Sequence, residues 1–214
     1  MERRGEAKLG AGSARAVGLP SSVSVGVLTC DPDNCIAAIH HALRMSGATR
    51  PILFLPAGRS IKSELQLLQQ CDFDAISLGD ALEAVRASSN GLSPYLPPAT
   101  EGSGQQQPRL LVASATEARG IDLPEIDLVL VWGVPETADQ FVHVAGRTGR
   151  KGLPGKVVVL SPGEEGEEPP RLSLLGSQLG IDLSEDLHHM AKRNERWAEM
   201  WTVHEKVVQA ETKY

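Results

Sequence analysis

Short apolar runs alternate along the chain with stretches whose hydrophobic positions recur every three or four residues. Residues 23–29 read as a short strand, and Ile36, Ile39 and Leu43 fall on one face of a helix that follows the turn-forming Asp31-Pro32-Asp33-Asn34. Residues 51–55 are apolar throughout, as expected of a strand buried on both sides. Ser60 is placed to cap a helix carrying Ile61, Leu65 and Leu68 on one stripe. Residues 75–78 form a third strand, and Asp80 with Glu83 predicts a capped helix through Ala87. The pattern resumes with strands at 109–114 and 128–132, a helix opening at Thr137 with Gln140 in the capping-box position, and a strand at 156–161. Strands alternating with helices predict an α/β domain, a mainly parallel sheet covered by helices on both faces.

Other segments break this rhythm. Residues 1–19, rich in Gly, Ala and Arg, read as a disordered start, and residues 88–108, rich in Ser, Gly, Pro and Gln, as a flexible insertion in a domain spanning 20–161. Residues 162–183 read as an acidic linker, and 184–209 as a long C-terminal helix. On that helix Leu187, Met190, Trp197, Trp201 and Val208 lie near one face. The stripe either packs on the domain or presents Trp197 and Trp201 as anchors for a partner's groove.

The chain has 214 residues and a formal net charge of −6, which suits one domain with appendages. Residues 162–214 alone carry six basic against eleven acidic side chains, so most of the excess lies beyond the regular core. An acidic total argues against a broad nonspecific grip on nucleic acid, while leaving room for a local basic face around Arg119, Arg147, Arg150, Lys151 and Lys156. Three cysteines with no Cys-x-x-Cys pair point to neither a disulfide framework nor a zinc site, and to a reducing intracellular compartment. No apolar stretch reaches membrane-spanning length, and no membrane association is expected. Arg3, Arg4, Lys8 and Arg15 are offset by Glu2 and Glu6, giving only a weak organelle-import signal.

The candidate chemistry is concentrated in two segments. Arg147 and Arg150 stand three apart on a turn punctuated by Gly146 and Gly149, a spacing that presents two planar, permanently charged guanidiniums to one phosphate. Upstream lies Ser114-Ala115-Thr116-Glu117-Ala118-Arg119-Gly120-Ile121-Asp122. Together with His143 through Arg150, these residues resemble motifs V and VI of the DEAD-box RNA helicases of superfamily 2. The resemblance covers roughly residues 20–161, is strong from Leu110 onward, and concerns only the C-terminal RecA-like domain of that family.

The resemblance implies a division of labour. Arg147 and Arg150 would be the catalytic arginines reaching the γ-phosphate of ATP, with Gly120 and Asp122 beside the nucleotide. Gly58, Ser114, Arg119 and Gly120 would hold an RNA backbone without reading its sequence. His143 would bridge to the partner domain, the plainer reading being a histidine satisfied at a helix end. ATP and magnesium are expected only where a first RecA-like domain supplies the phosphate loop and the Asp-Glu-Ala-Asp box, neither of which occurs in this sequence. The nearest approach, Gly155-Lys156, is followed by Val157 and so lacks the magnesium-binding hydroxyl.

Several positions depart from the family pattern. Ala115 stands in place of an aspartate and Val144 in place of an arginine, while Phe54-Leu55-Pro56-Ala57 replaces a polar phosphate contact. The reading is therefore a partly degenerate helicase domain that acts as a binding module on RNA or a ribonucleoprotein, such as a ribosome or its assembly intermediate. The alternative is the C-terminal half of an ATP-dependent RNA helicase that meets a P-loop domain in cis or in trans.

Overall fold

A computed structural model describes residues 18–20, 22–30, 35–88, 108–121, 123, 126–162, 170–181 and 183. Six parallel strands form one sheet in the order β1-β6-β5-β2-β4-β3, where β1 is Val23–Cys30, β2 Pro51–Leu55, β3 Ala75–Ser77, β4 Leu110–Ser114, β5 Leu128–Trp132 and β6 Gly155–Pro162. Every residue of β2 and β5 is buried. Their unbroken apolar runs follow from this central position, since both faces of an inner parallel strand meet helices.

The helices divide between the two faces. α1 (Ile36–Ser46) and α2 (Ile61–Gln70) cover one, packing Ile39, Ala42, Leu43 and Leu68 against Leu53, Leu130 and Leu160. α3 (Leu78–Ala87), α4 (Ala138–Ala145) and α5 (Pro170–Leu179) cover the other, where Phe141, Val144 and Leu175 meet Phe54, Val129 and Val131. Two of the expected caps form as read: Ser60 accepts from the Ser63 N–H, and Thr137 accepts from the Gln140 N–H. Gln140 Oε1 then accepts from the Glu136 N–H at 3.2 Å, so the reciprocal bond lands one residue before the cap.

Four expectations need correction or restriction. The helix expected to open at Asp80 and Glu83 opens earlier, directly from β3, because Ser77 is the cap and its hydroxyl holds both the Asp80 N–H (3.0 Å) and the Asp80 carboxylate (2.7 Å). The expected linker 162–183 contains α5, whose Leu172 and Leu175 are buried, and Leu183 beyond it is buried as well. The stripe Leu172, Leu175, Leu179 has helical spacing, and Gly180 in the left-handed region ends the helix while the Ile181 N–H donates to the Gly176 carbonyl at 3.0 Å. Cys30 and Cys35, expected unpaired, form a disulfide with Cα atoms 5.3 Å apart, because the end of β1 and the start of α1 bring them together; Cys71 is free. The N-terminal segment 1–17, most of the insertion (89–107) and the C-terminal helix with Trp197 and Trp201 lie outside the described residues.

Candidate phosphate and RNA-backbone site

The expected RNA-backbone residues lie where β2 and β4 end, the edge at which open parallel sheets bind ligands, whereas the arginine loop lies against the starts of β1 and β6. Ser114 is the last residue of β4, and the turn after it carries Arg119 and Gly120, both exposed. Gly120 has φ +73° with open space where a side chain would stand, and Gly58, in the turn after β2, has φ +89° with the same openness. Only glycine takes these conformations without strain, and both let another molecule's backbone approach.

Between these loops lies a cleft of about 290 Å³. Ser114, Thr116 and Arg119 from the β4 turn line it together with Pro56 and Ala57 after β2, Gly133 to Glu136 after β5, Gln140 and Val144 of α4, and Arg171 of α5. The expected RNA-binding residues Ser114 and Arg119 thus share one cleft. Arg171 is a cation there that sequence reasoning missed, because it belongs to the segment read as a linker.

The arginine loop is built differently. It leaves the end of α4, and its conformation is imposed from the core. Thr148 is 1% exposed and donates its hydroxyl to the Ile126 carbonyl at 2.6 Å. Gly149 has φ +68° and would press any Cβ into Val23, while Ser22 donates its hydroxyl to the Gly149 carbonyl at 3.0 Å. A Cβ on Gly155 would meet Thr148 and the Gly149 nitrogen, so the loop sits directly against the start of β6.

Arg147 and Arg150 project from this scaffold, each half-buried. Arg147 donates to the Ile121 carbonyl at 2.9 Å, and Arg150 donates through Nε to the Gly146 carbonyl at 3.0 Å. The first bond ties the arginine loop to the β4 turn across 26 positions of sequence. His143 is exposed on the last turn of α4. Asp122 lies outside the described residues. Two guanidiniums on a glycine-rich loop are suited to a phosphate, and among the described residues no three His, Cys, Asp or Glu side chains cluster as a metal site.

The altered family positions also have structural consequences. Val144 is 5% exposed and packs in the core beside Phe141, so where the resemblance implies a charge this chain has an apolar contact. Glu117 was not singled out from the sequence, although Ser114-x-x-Glu117 carries the capping-box spacing. Its carboxylate takes both the N–H and the hydroxyl of Ser114. On the opposite face of the sheet edge, Arg59 stacks 4.4 Å above the Trp132 ring and pairs with Glu64 at 2.8 Å, which anchors the turn after β2.

Comparison with known proteins finds similarity to RNA helicases. The helicase conserved C-terminal domain family matches residues 100–152, the stretch that contains the β4 turn and both arginines. The ATP-dependent rRNA helicase SPB4 of Meyerozyma guilliermondii is 29% identical over 157 residues, covering 72% of this chain and 25% of that protein. The ATP-dependent RNA helicase mak5 of Aspergillus oryzae is 34% identical over 116 residues, covering 54% of this chain and 14% of that protein. The chain thus spans about a quarter or less of the length of these relatives. Among solved structures, a DEAD-box protein from the hyperthermophile Methanococcus jannaschii superposes with a TM-score of 0.55 at 18% identity, over 76% of this chain and 41% of that one. The E. coli DEAD-box protein SrmB, solved bound to regulator of ribonuclease activity A, gives 0.52 at 22% identity, over 75% of this chain and 88% of that one. At such identities the two structures establish the fold alone.

Proposed function

We propose, on the premise that this chain carries the C-terminal RecA-like domain of a DEAD-box RNA helicase, that it binds the sugar-phosphate backbone of single-stranded RNA at the β4–α5 cleft and serves as an RNA or ribonucleoprotein binding module. The observation that carries the reading is the convergence of Ser114, Arg119 and Arg171 on one cleft at the carboxyl edge of the sheet. A hydroxyl beside two guanidiniums matches phosphodiester oxygens and offers no pattern of base-edge readers, so binding without sequence preference follows. Val144, apolar where the family pattern places an arginine that couples the two domains, favours binding over turnover, while Ala115 and Pro56 remove polar contacts and leave the grip on RNA to Ser114, Arg119 and Arg171. The name of the SPB4 relative, an rRNA helicase, favours ribosomal RNA or a particle containing it as the natural ligand.

The test is a titration of the purified chain with labelled oligouridine followed by fluorescence anisotropy. Binding should be salt-dependent, equal for oligouridine and oligoadenosine, and about tenfold weaker in Arg119→Ala. Binding that is indifferent to Arg119 and Arg171 would sink the reading.

A second reading is favoured by one specific observation, the core-locked arginine loop. Arg147 and Arg150 would then act on the γ-phosphate of ATP held by a P-loop domain, with Gly120 and Asp122 near the nucleotide, and His143 exposed toward that domain. A guanidinium in this role contributes on the order of 1,000-fold or more to phosphoryl transfer. The chain by itself should show no RNA-stimulated ATP hydrolysis. Adding a P-loop domain and observing turnover that Arg150→Ala abolishes would establish the second reading in place of the first.

A further inference from the structure

The carboxylate of Glu117 takes two donors of Ser114, the residue that lines the cleft and that the RNA-backbone reading offers to a phosphate. Its Oε2 accepts from the Ser114 N–H at 2.9 Å and from the Ser114 hydroxyl at 3.2 Å. Two donors converging on one anionic oxygen is the arrangement a phosphoryl oxygen would adopt at the same place. At the end of β4, then, a carboxylate of the chain itself holds two donors that could serve a phosphate.

Resting on the RNA-backbone reading above, we propose that Glu117 is a built-in competitor for the RNA phosphate, and that it sets how tightly the cleft holds RNA. Three features support this. The Glu117 side chain is exposed, so nothing buried has to move for it to leave Ser114. Its negative charge beside the Ser114 donors repels an incoming phosphate for as long as it stays. Arg119, two residues on, and Arg171 across the cleft supply the cations that would draw the phosphate in once the carboxylate yields. RNA binding at this site is then an exchange of one anion for another, weaker than the donor set alone would give.

The same contact also caps the turn, since the Glu117 N–H donates back to the Ser114 hydroxyl at 3.2 Å. Capping and competition separate in Glu117→Gln, because glutamine is an equally good capping-box partner and carries no charge. The experiment is an anisotropy titration of the full chain with labelled oligouridine at low and moderate salt, with thermal melting as the check on folding. Glu117→Gln should bind about five- to tenfold more tightly than the unaltered chain. Ser114→Ala placed in the Glu117→Gln background should cancel that gain. Affinity equal to or below that of the unaltered chain in a folded Glu117→Gln protein overturns the proposal. Arg119-dependent binding that Glu117→Gln leaves unchanged defeats this inference alone, whereas no binding by any variant defeats both it and the RNA reading.

Discussion

The arginine loop packs against the starts of β1 and β6 and the β4 turn leaves the end of a strand, and the two are held by different means. The first is set by buried contacts: the Thr148 hydroxyl, the close approach of Gly149 to Val23, and the absence of any side chain at Gly155. The second is held by its own polar groups, Ser114 and Glu117 bonding each other at the surface. A loop fixed by the core cannot change without disturbing the fold, whereas a locally bonded turn can exchange side chains freely. Arg147 and Arg150 keep the helicase pattern on the core-set loop, while Ala115 on the half-exposed β4 turn and the buried Val144 of α4 depart from it.

Substitutions can break that contrast, in order of expected effect. Gly149→Ala demands a left-handed alanine that also collides with Val23, and should lower stability by about 3 kcal/mol in urea unfolding. A loss well under 1 kcal/mol would show that the loop is not anchored by β1. Thr148→Val keeps the shape but strips the hydroxyl from the Ile126 carbonyl, and should cost about 2 kcal/mol by the same measurement. Glu117→Gln should change stability by less than about 0.5 kcal/mol, since it alters an exposed side chain and preserves the cap. A large loss there would place the β4 turn in the same class as the arginine loop and erase the distinction.

Much of the fold was legible because the relevant signals are local. The continuous apolar runs of β2 and β5, and the caps at Ser60 and Thr137, act within a few residues of themselves. α5 was hidden by the acidic run before it, although Leu172, Leu175 and Leu179 repeat at helical spacing. The start of α3 was displaced because a serine ending a strand served as its cap, leaving no loop to mark the boundary. At the site, the pairing of Arg147 with Arg150 was visible as spacing on a glycine turn. The bond from Arg147 to Ile121 was not, since its partners are brought together only by the sheet. Glu117 was readable and overlooked, as the capping-box spacing opens a single turn there and no helix follows.

The hydroxyl of Ser22 and the carbonyl of Gly149 are separated by 127 positions, and β1 pairs along its whole length with β6, the last strand of the sheet. Closing so long a loop carries an entropic cost that the paired strands must offset. The arginine turn is thus shaped where two segments distant in sequence meet, so a change that loosens the β1–β6 pairing should also loosen the placement of Arg147 and Arg150.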